Sequence, residues 1–310
     1  MKHALFAALL MATPVAAQDR MTAAQCNDSW AVLEALNGRA ISDAAIMPNN
    51  EGWCEITDGV FGIDRATRMQ IGSLRWRASD IDRFIEDQLP PRALEIRGQG
   101  FGLVPETGDP VYDYLLGIQS ARDEAAFGLS VRWDGVQNAV FIDDAFVDFS
   151  PNNRIEATAR IDGINLTDQT TTQMSLGSMG LRDLSIKSDF AGWFEAYVAF
   201  GLGAAVLSSG EVSPDVQVAD LQRQAVQFID GLPDANMSQA SRSALSEFII
   251  ALPSPRGRVQ MQLNAAPPLG AVRMASLAVL PEPPTPEKIV ELGLAGVTLL
   301  FTWAPTGGSQ

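Results

Sequence analysis

Apolar and polar residues alternate along much of the first two thirds of the chain. Phe127, Leu129, Val131 and Trp133 occupy every second position of one segment, and the turn signal Asp134-Gly135 follows them. Comparable segments lie at residues 67–78, 94–96, 140–149, 155–161 and 174–187. Alternation with a period of two gives a strand one apolar and one polar face, so the pattern predicts an antiparallel β meander with two unlike faces.

Helical periodicity replaces this alternation towards both ends of the chain. Residues 23–36 place Trp30, Leu33 and Leu36 on one helix face. Residues 191–207 are almost wholly apolar but short for a membrane span, which favours a buried core helix. Two amphipathic helices and two short strands are predicted in segments that begin at Pro214, Ser238, Val259 and Val297.

Together the two patterns predict an α+β fold. We expect a curved antiparallel β-meander sheet with helices packed on its apolar face and a helical C-terminal third. Residues 18–310 are expected to form a single domain. Within it, residues 18–190 are predicted to be mainly β meander with an N-terminal helix. Residues 191–310 are predicted to be mainly helical and to end in a strand.

The first residues predict export. A short polar start precedes the apolar run Ala4–Met11. Val15-Ala16-Ala17 then provides the small residues that signal peptidase recognises at its cleavage site. The run is too short to cross a bilayer, so residues 1–17 are interpreted as a signal peptide cleaved near Ala17. A soluble periplasmic protein without an integral membrane span is therefore expected. Cleavage would also remove His3, the only histidine, and with it most hydrolase triads and most zinc sites.

The chain contains two cysteines, Cys26 and Cys54. An even pair in an exported chain predicts one disulfide, which would close a loop of roughly 28 residues and contribute about 3 kcal/mol. A metal site would need two more soft ligands, which the sequence does not supply, so no metal is expected. The glycine spacing at residues 98–102 fails the dinucleotide pattern, and no cofactor is expected either.

The charge of the chain is strongly negative. It has 22 lysines and arginines against 37 acidic residues, for a formal net charge of -15. Such a surface repels phosphate backbones, so nucleic acid is not expected as a partner. A solubility surface and a basic protein partner are both compatible with this charge.

Carboxylates are the only plentiful acid–base groups. Asp143, Asp144 and Asp148 form the tightest cluster and are the candidate catalytic residues. Two carboxylates across a cleft can hydrolyse a glycoside, and carboxylate oxygens can also bind calcium. Aspartates at strand ends and turns more often have structural or solvated roles, and that interpretation stays open beside catalysis.

Apolar surface supplies the other candidate site. Trp76, Trp133, Trp193 and Trp303 are the candidate ligand-binding residues, because a sheet with one apolar face can leave a groove for an acyl chain. Simple packing in the core is the alternative for the same tryptophans.

Four segments resemble exported proteins of unknown function from alphaproteobacteria, and these resemble the long curved β-sheets of AsmA-type envelope proteins. The segments are Val131–Gly135, Ile142–Ala145, Ile161–Asn165 and Gly296–Trp303. The resemblance implies a role in handling outer-membrane lipids. The transmembrane anchor typical of that group is not expected in this chain, which favours a carrier or accessory role.

Three functions are therefore considered. The leading hypothesis is a non-enzymatic binding or envelope-accessory protein for an apolar or lipid-like ligand. The second is a carboxylate-dependent enzyme that acts on an envelope glycan. The third is a protein-interaction module whose acidic surface binds a basic partner, an envelope protein for example.

Overall fold

Ten strands form one open antiparallel sheet, and each strand pairs with its neighbours in chain order from β1 to β10. The computed structural model describes residues 20–37, 45–62, 67–105, 108–115, 125–149, 152–207, 212–271, 273, 275 and 289–306. The predicted signal peptide, residues 1–17, lies outside the described residues. In the part of the chain that is described, no helix combines the length and the hydropathy needed to cross a membrane.

The strands vary widely in length. They are β1 (Met47–Pro48), β2 (Cys54–Gly62), β3 (Thr67–Ser79), β4 (Ala93–Pro105), β5 (Ala125–Asp134), β6 (Ala139–Asp148), β7 (Arg154–Asp162), β8 (Gly180–Phe190), β9 (Gly257–Gly270) and β10 (Val297–Pro305). The helices are α1 (Ala23–Asn37), α2 (Asp82–Asp87), α3 (residues 110–115), α4 (Gln169–Leu176), α5 (Phe200–Val206), α6 (Pro214–Asp230) and α7 (Gln239–Ala251). Two π-helical turns cover Phe194–Ala199 and Ile289–Gly293.

The predicted antiparallel sheet is present, but the predicted fold class is wrong because the C-terminal third is not a helical unit. β9, with 14 residues, and β10 extend the same open sheet that begins at β1. The helices between β8 and β9 are modest. The apolar segment expected to form one buried helix is instead a π-helical turn followed by the 7-residue α5, whose Leu202 and Val206 are exposed.

The strand register places apolar side chains opposite one another across nearly the whole sheet. One row of paired residues, which we call the central apolar row, crosses nine strands. It consists of Cys54, Trp76, Ile96, Leu129, Ala145, Ala157, Ile186, Met261 and Phe301. Because side chains alternate between faces, the residues on either side of this row belong to the other, more polar face.

The packed cores lie at the two sides of the sheet and not at its centre. On one side, α1 and α2 pack on β2–β4 around Ile56 and Trp76. On the other side, α6 and α7 pack on β8–β10 around Phe301 and Met237. Among the described residues, β5, β6 and β7 contribute no side chain to these clusters.

Both edges of the sheet are protected against pairing with another chain. β1 is only two residues long. At the other edge, the Leu299 N–H donates to the Asn236 carbonyl at 2.7 Å, and the Phe301 N–H donates to Ser241 Oγ at 3.2 Å. The Asn236 side-chain amide also donates to the Val297 carbonyl at 2.7 Å. These three backbone groups of β10 are thus already bonded and are not available to a further strand.

Candidate functional site

The two cysteines are joined, as the sequence predicts. The Cys26–Cys54 disulfide links α1 to the first residue of β2, with the two Cα atoms 5.4 Å apart. Both cysteines are fully buried beside Trp30 and Trp76, whose rings stack 5.4 Å apart. The bond therefore anchors α1 to the sheet inside a packed cluster.

The four candidate tryptophans do not line one site. Trp76 is buried in the cluster beneath α1, and its indole N–H donates to Ser29 Oγ at 3.3 Å. Trp133 lies at the end of β5 and donates to the Ile164 carbonyl at 3.1 Å. Trp193 and Trp303 do come together, since both contact the ring of Phe190, at centroid distances of 5.0 Å and 6.3 Å.

A larger aromatic group surrounds Phe190 at the ends of β8 and β10. Its members are Phe149, Phe190, Trp193, Phe194, Tyr197, Phe248 and Trp303. The turn after β8 is held in place by Asn153, whose side-chain oxygen accepts from the N–H groups of Ala191 and Trp193. Contacts between rings from four separate segments depend on tertiary structure, and no sequence motif could have indicated them.

The three candidate catalytic acids occupy the polar face, and each is paired with a different arginine. Asp143 binds Arg132 at 2.9 Å, and Asp144 binds Arg97 at 3.0 Å. Both aspartates reach the same face because β6 carries a β-bulge there: Ser130 pairs with Asp144, whereas Val131 pairs with Ile142, which leaves Asp143 as the extra residue.

Asp148, the third acid, shares Arg154 with Glu156, at 3.4 Å and 2.7 Å respectively. The arrangement on the polar face is thus a set of ion pairs, in which each candidate acid is held by an arginine.

Arginines on this face also clamp aromatic rings. Phe141 lies between Arg132 and Arg160, whose guanidinium carbons are 3.9 Å and 5.3 Å from the ring centroid. Phe146 lies between Arg154 and Arg97, at 4.3 Å and 5.4 Å. Each arginine thus combines a cation–π contact with a carboxylate partner, and the stem of the side chain covers the sheet.

The pKa shifts of two arginines have the direction expected for ion pairs. A hydrogen bond to Glu156 raises the pKa of the Arg154 guanidinium, and a hydrogen bond to Asp189 raises that of Arg258. At the turn after β5, the backbone N–H of Gln137 donates to Asp134 and lowers the pKa of that carboxyl group.

Gly128 makes room for this network on β5. A Cβ atom at this position would overlap the Arg97 guanidinium and the Phe146 ring. We expect Gly128→Val to lower the free energy of unfolding by about 1–3 kcal/mol, because the side chains of Arg97 and Phe146 must shift. Ser130→Val, two residues along on the same face, is the control and should change the unfolding free energy little. Equal unfolding midpoints for the two variants in urea would contradict this assignment.

The opposite, apolar face remains partly open between the two helical sides. On β4–β8, the central apolar row consists of Ile96, Leu129, Ala145, Ala157 and Ile186, all half-buried. The flanking residues on the same face are half-buried as well, namely Phe127, Val131, Ile142, Val147, Ile155, Ala159 and Leu184. We call these twelve residues the apolar strip.

The ends of the central apolar row differ from the strip between them. Cys54 and Phe301 are 0% and 5% exposed, because helices cover them. The shortest side chains at the middle of the strip are those of Ala145 on β6 and Ala157 on β7, which are paired across the two strands. We call this pair the floor of the strip. The larger side chains of Leu129 and Ile186 border this pair along the row.

A cavity of about 820 Å³ lies where the strip meets the loop between α6 and α7. Five of its lining residues form a second paired row, namely Ile142, Ala159, Leu184, Leu263 and Leu299. Asn236 and Ser238 from the loop line it too. This volume is within the range of pockets that bind small molecules.

Metal ligands are not grouped in the part of the chain that the structure describes, since no three histidine, cysteine or acidic side chains lie together there. No protein-family model and no curated protein matches the chain. The half-buried apolar strip is therefore the feature of the described residues from which a function is inferred.

Proposed function

We propose that this protein is an exported, periplasmic binding or envelope-accessory protein that holds an apolar or lipid-like ligand on the apolar strip. A single observation carries the proposal: twelve apolar side chains on five adjacent strands stay half-buried, and all of them but Ile96 lie outside the clusters that helices cover at both sides of the sheet. Contiguous apolar surface of this kind in a folded protein commonly marks a binding site.

The dimensions of the strip suit a hydrocarbon chain. Four strand spacings separate β4 from β8, which amounts to about 19 Å. One leaflet of a bilayer is about 15 Å thick in its hydrocarbon part, so the strip can accommodate an acyl chain across the strands. Each methylene group removed from water contributes about 0.8 kcal/mol, and the shallow floor at Ala145 and Ala157 lets a chain approach the backbone closely.

The compartment belongs to the same proposal. The pattern of residues 1–17 is that of a secretory signal, and the Cys26–Cys54 disulfide is a bond that persists in oxidising compartments such as the periplasm. The resemblance to AsmA-type envelope proteins points to the same compartment and to a lipid as the ligand. The carboxylate enzyme is not proposed, because each candidate acid is paired with an arginine.

Native mass spectrometry of the protein purified from its own periplasm tests this function. We expect a stoichiometric apolar molecule on the natural chain and at least a tenfold lower occupancy for Ala157→Trp, whose indole would fill the floor of the strip. Thr158→Trp is the matched control, since Thr158 is the next residue of β7 and is exposed on the polar face. A natural chain that carries no apolar molecule, or equal occupancy in both variants, would refute the proposal.

A further inference from the structure

The cavity beside the apolar strip joins the strip to the loop between α6 and α7, residues 231–238. Three residues of the strip line it, namely Ile142, Ala159 and Leu184. The loop lines it through four residues, namely Asp234, Ala235, Asn236 and Ser238. Ala159 follows Ala157 by two residues on the same face of β7, which amounts to about 7 Å. A ligand that lies on the floor of the strip can therefore extend into this cavity.

Asn236 holds this loop on β10 and leaves one acceptor at the cavity. Its carbonyl accepts from the Leu299 N–H at 2.7 Å, and its side-chain N–H groups donate to the carbonyls of Leu294 and Val297, each at 2.7 Å. Both N–H bonds of the amide are thus used inside the protein, which fixes the orientation of the group. Asn236 Oδ1 accepts no hydrogen bond from the part of the chain that the structure describes, so it is available to a ligand.

The arginine next to this loop is engaged by the loop itself. Arg242 donates to the carbonyls of Leu232 and Met237 at 2.8 Å and 2.7 Å. It also donates to Asp234 Oδ1 at 2.7 Å. The side chain of Arg242 is 15% exposed, whereas that of Asp234 is 83% exposed. Asp234 therefore offers its second carboxylate oxygen at the cavity, while the guanidinium faces the backbone of the loop.

Three charged residues of the strands also border the cavity, namely Asp143, Arg160 and Asp183. Each is next in the chain to one of the apolar lining residues, so its side chain lies on the polar face of the sheet. Arg160, the one cation among them, binds Asp162 there at 2.7 Å. Towards the apolar face, the described residues that line the cavity therefore present hydrogen-bond acceptors and negative charge from the loop, and no unpaired cation.

We propose that this cavity binds the polar end of the ligand and selects a head group that donates hydrogen bonds and carries no negative charge, such as the hydroxyl groups of an acylglycerol. The inference rests on the proposed function, since the acyl chain of the same ligand would lie on the strip. A hydroxyl group can donate to Asn236 Oδ1 and to Asp234, whereas a carboxylate or phosphate head would meet two acceptors and a like charge. The net charge of the chain, -15, also disfavours anions.

Isothermal titration calorimetry with dodecanol and dodecanoate tests this selection, because the two ligands share a chain length and differ in the head group. We expect dodecanol to bind the natural chain at least tenfold more tightly than dodecanoate at neutral pH. Ala235→Lys places a cation at the cavity and should lower this ratio of affinities at least tenfold. Ala240→Lys is the matched control, since Ala240 is exposed on α7 and does not line the cavity, and it should keep the natural ratio.

Equal affinities of the natural chain for the two ligands, or tighter binding of dodecanoate, would overturn the selection and leave the binding function standing. The same ratio in Ala235→Lys and Ala240→Lys would overturn it too, because the preference would then come from the net charge of the chain and not from the cavity. Binding of neither ligand would overturn both proposals. Ala157→Trp separates the two, since it should weaken the binding of both ligands alike and keep the ratio of their affinities.

Discussion

Replacing Trp76 with alanine is expected to lower the free energy of unfolding by about 3–5 kcal/mol. Trp76 is 6% exposed, and its ring stacks on Trp30 beneath α1. Its indole N–H bonds to the buried Ser29 hydroxyl, so truncation leaves both a cavity and an unpaired polar group. Urea denaturation followed by far-ultraviolet circular dichroism measures the loss.

Trp303→Ala is the control for this prediction. Trp303 is also a strand residue on the apolar face, but it is only half-buried beside Phe248. Its removal should cost less than that of Trp76, because less apolar area returns to water. An unfolding free energy for Trp76→Ala within about 1 kcal/mol of the natural chain would place Trp76 outside the core.

Removing the disulfide is expected to cost about 3–4 kcal/mol in the paired variant Cys26→Ser with Cys54→Ser. The bond closes a loop with a sequence separation of 28, and opening it returns conformational freedom to the unfolded chain. Both sulfur sites are fully buried, so each serine hydroxyl also adds a polar group to an apolar cluster.

Urea titrations of the natural chain with and without a reductant separate these two contributions. The reduced natural chain keeps its apolar thiols, so it should lie between the oxidised chain and the paired variant. Identical midpoints for the oxidised and reduced chains would show that the loop contributes nothing to stability. The paired variant should keep the part of the apolar strip that lies on β5–β8, because these strands lie outside the cluster that contains the bond.

Local elements were predictable because neighbouring residues determine them. The segment from Phe127 to Trp133 alternates cleanly, and β5 covers it in the structure. The helix predicted over residues 23–36 is α1, and the cysteine pairing followed from there being only two cysteines. The strand pair predicted over residues 174–187 was wrong, since α4 covers its start and the single strand β8 covers the rest. The side chain of Asp168 caps α4 by accepting from the Thr171 N–H.

Features that depend on register were not predictable in the same way. Whether Ala145 faces Ala157 depends on the bulge at Asp143, and a shift by one residue would move every side chain to the other face. The scattering of the tryptophans has the same origin, because Trp76 and Trp193 belong to strands and turns at opposite sides of a wide sheet. The fold class was wrong for a related reason: the pairing of β9 with β8, which places the C-terminal strands in the same sheet, also depends on register.

The ten strands have the same order in the sheet as in the chain. The sheet can therefore gain or lose a hairpin during evolution. Each hairpin borders only the hairpins next to it in the chain, so one hairpin can be added or removed without breaking any other pairing. Each such event would widen or narrow the sheet by two strand spacings, about 10 Å. Duplication of a middle hairpin would widen the apolar strip while leaving the disulfide-bonded side and the capped edge at β10 intact.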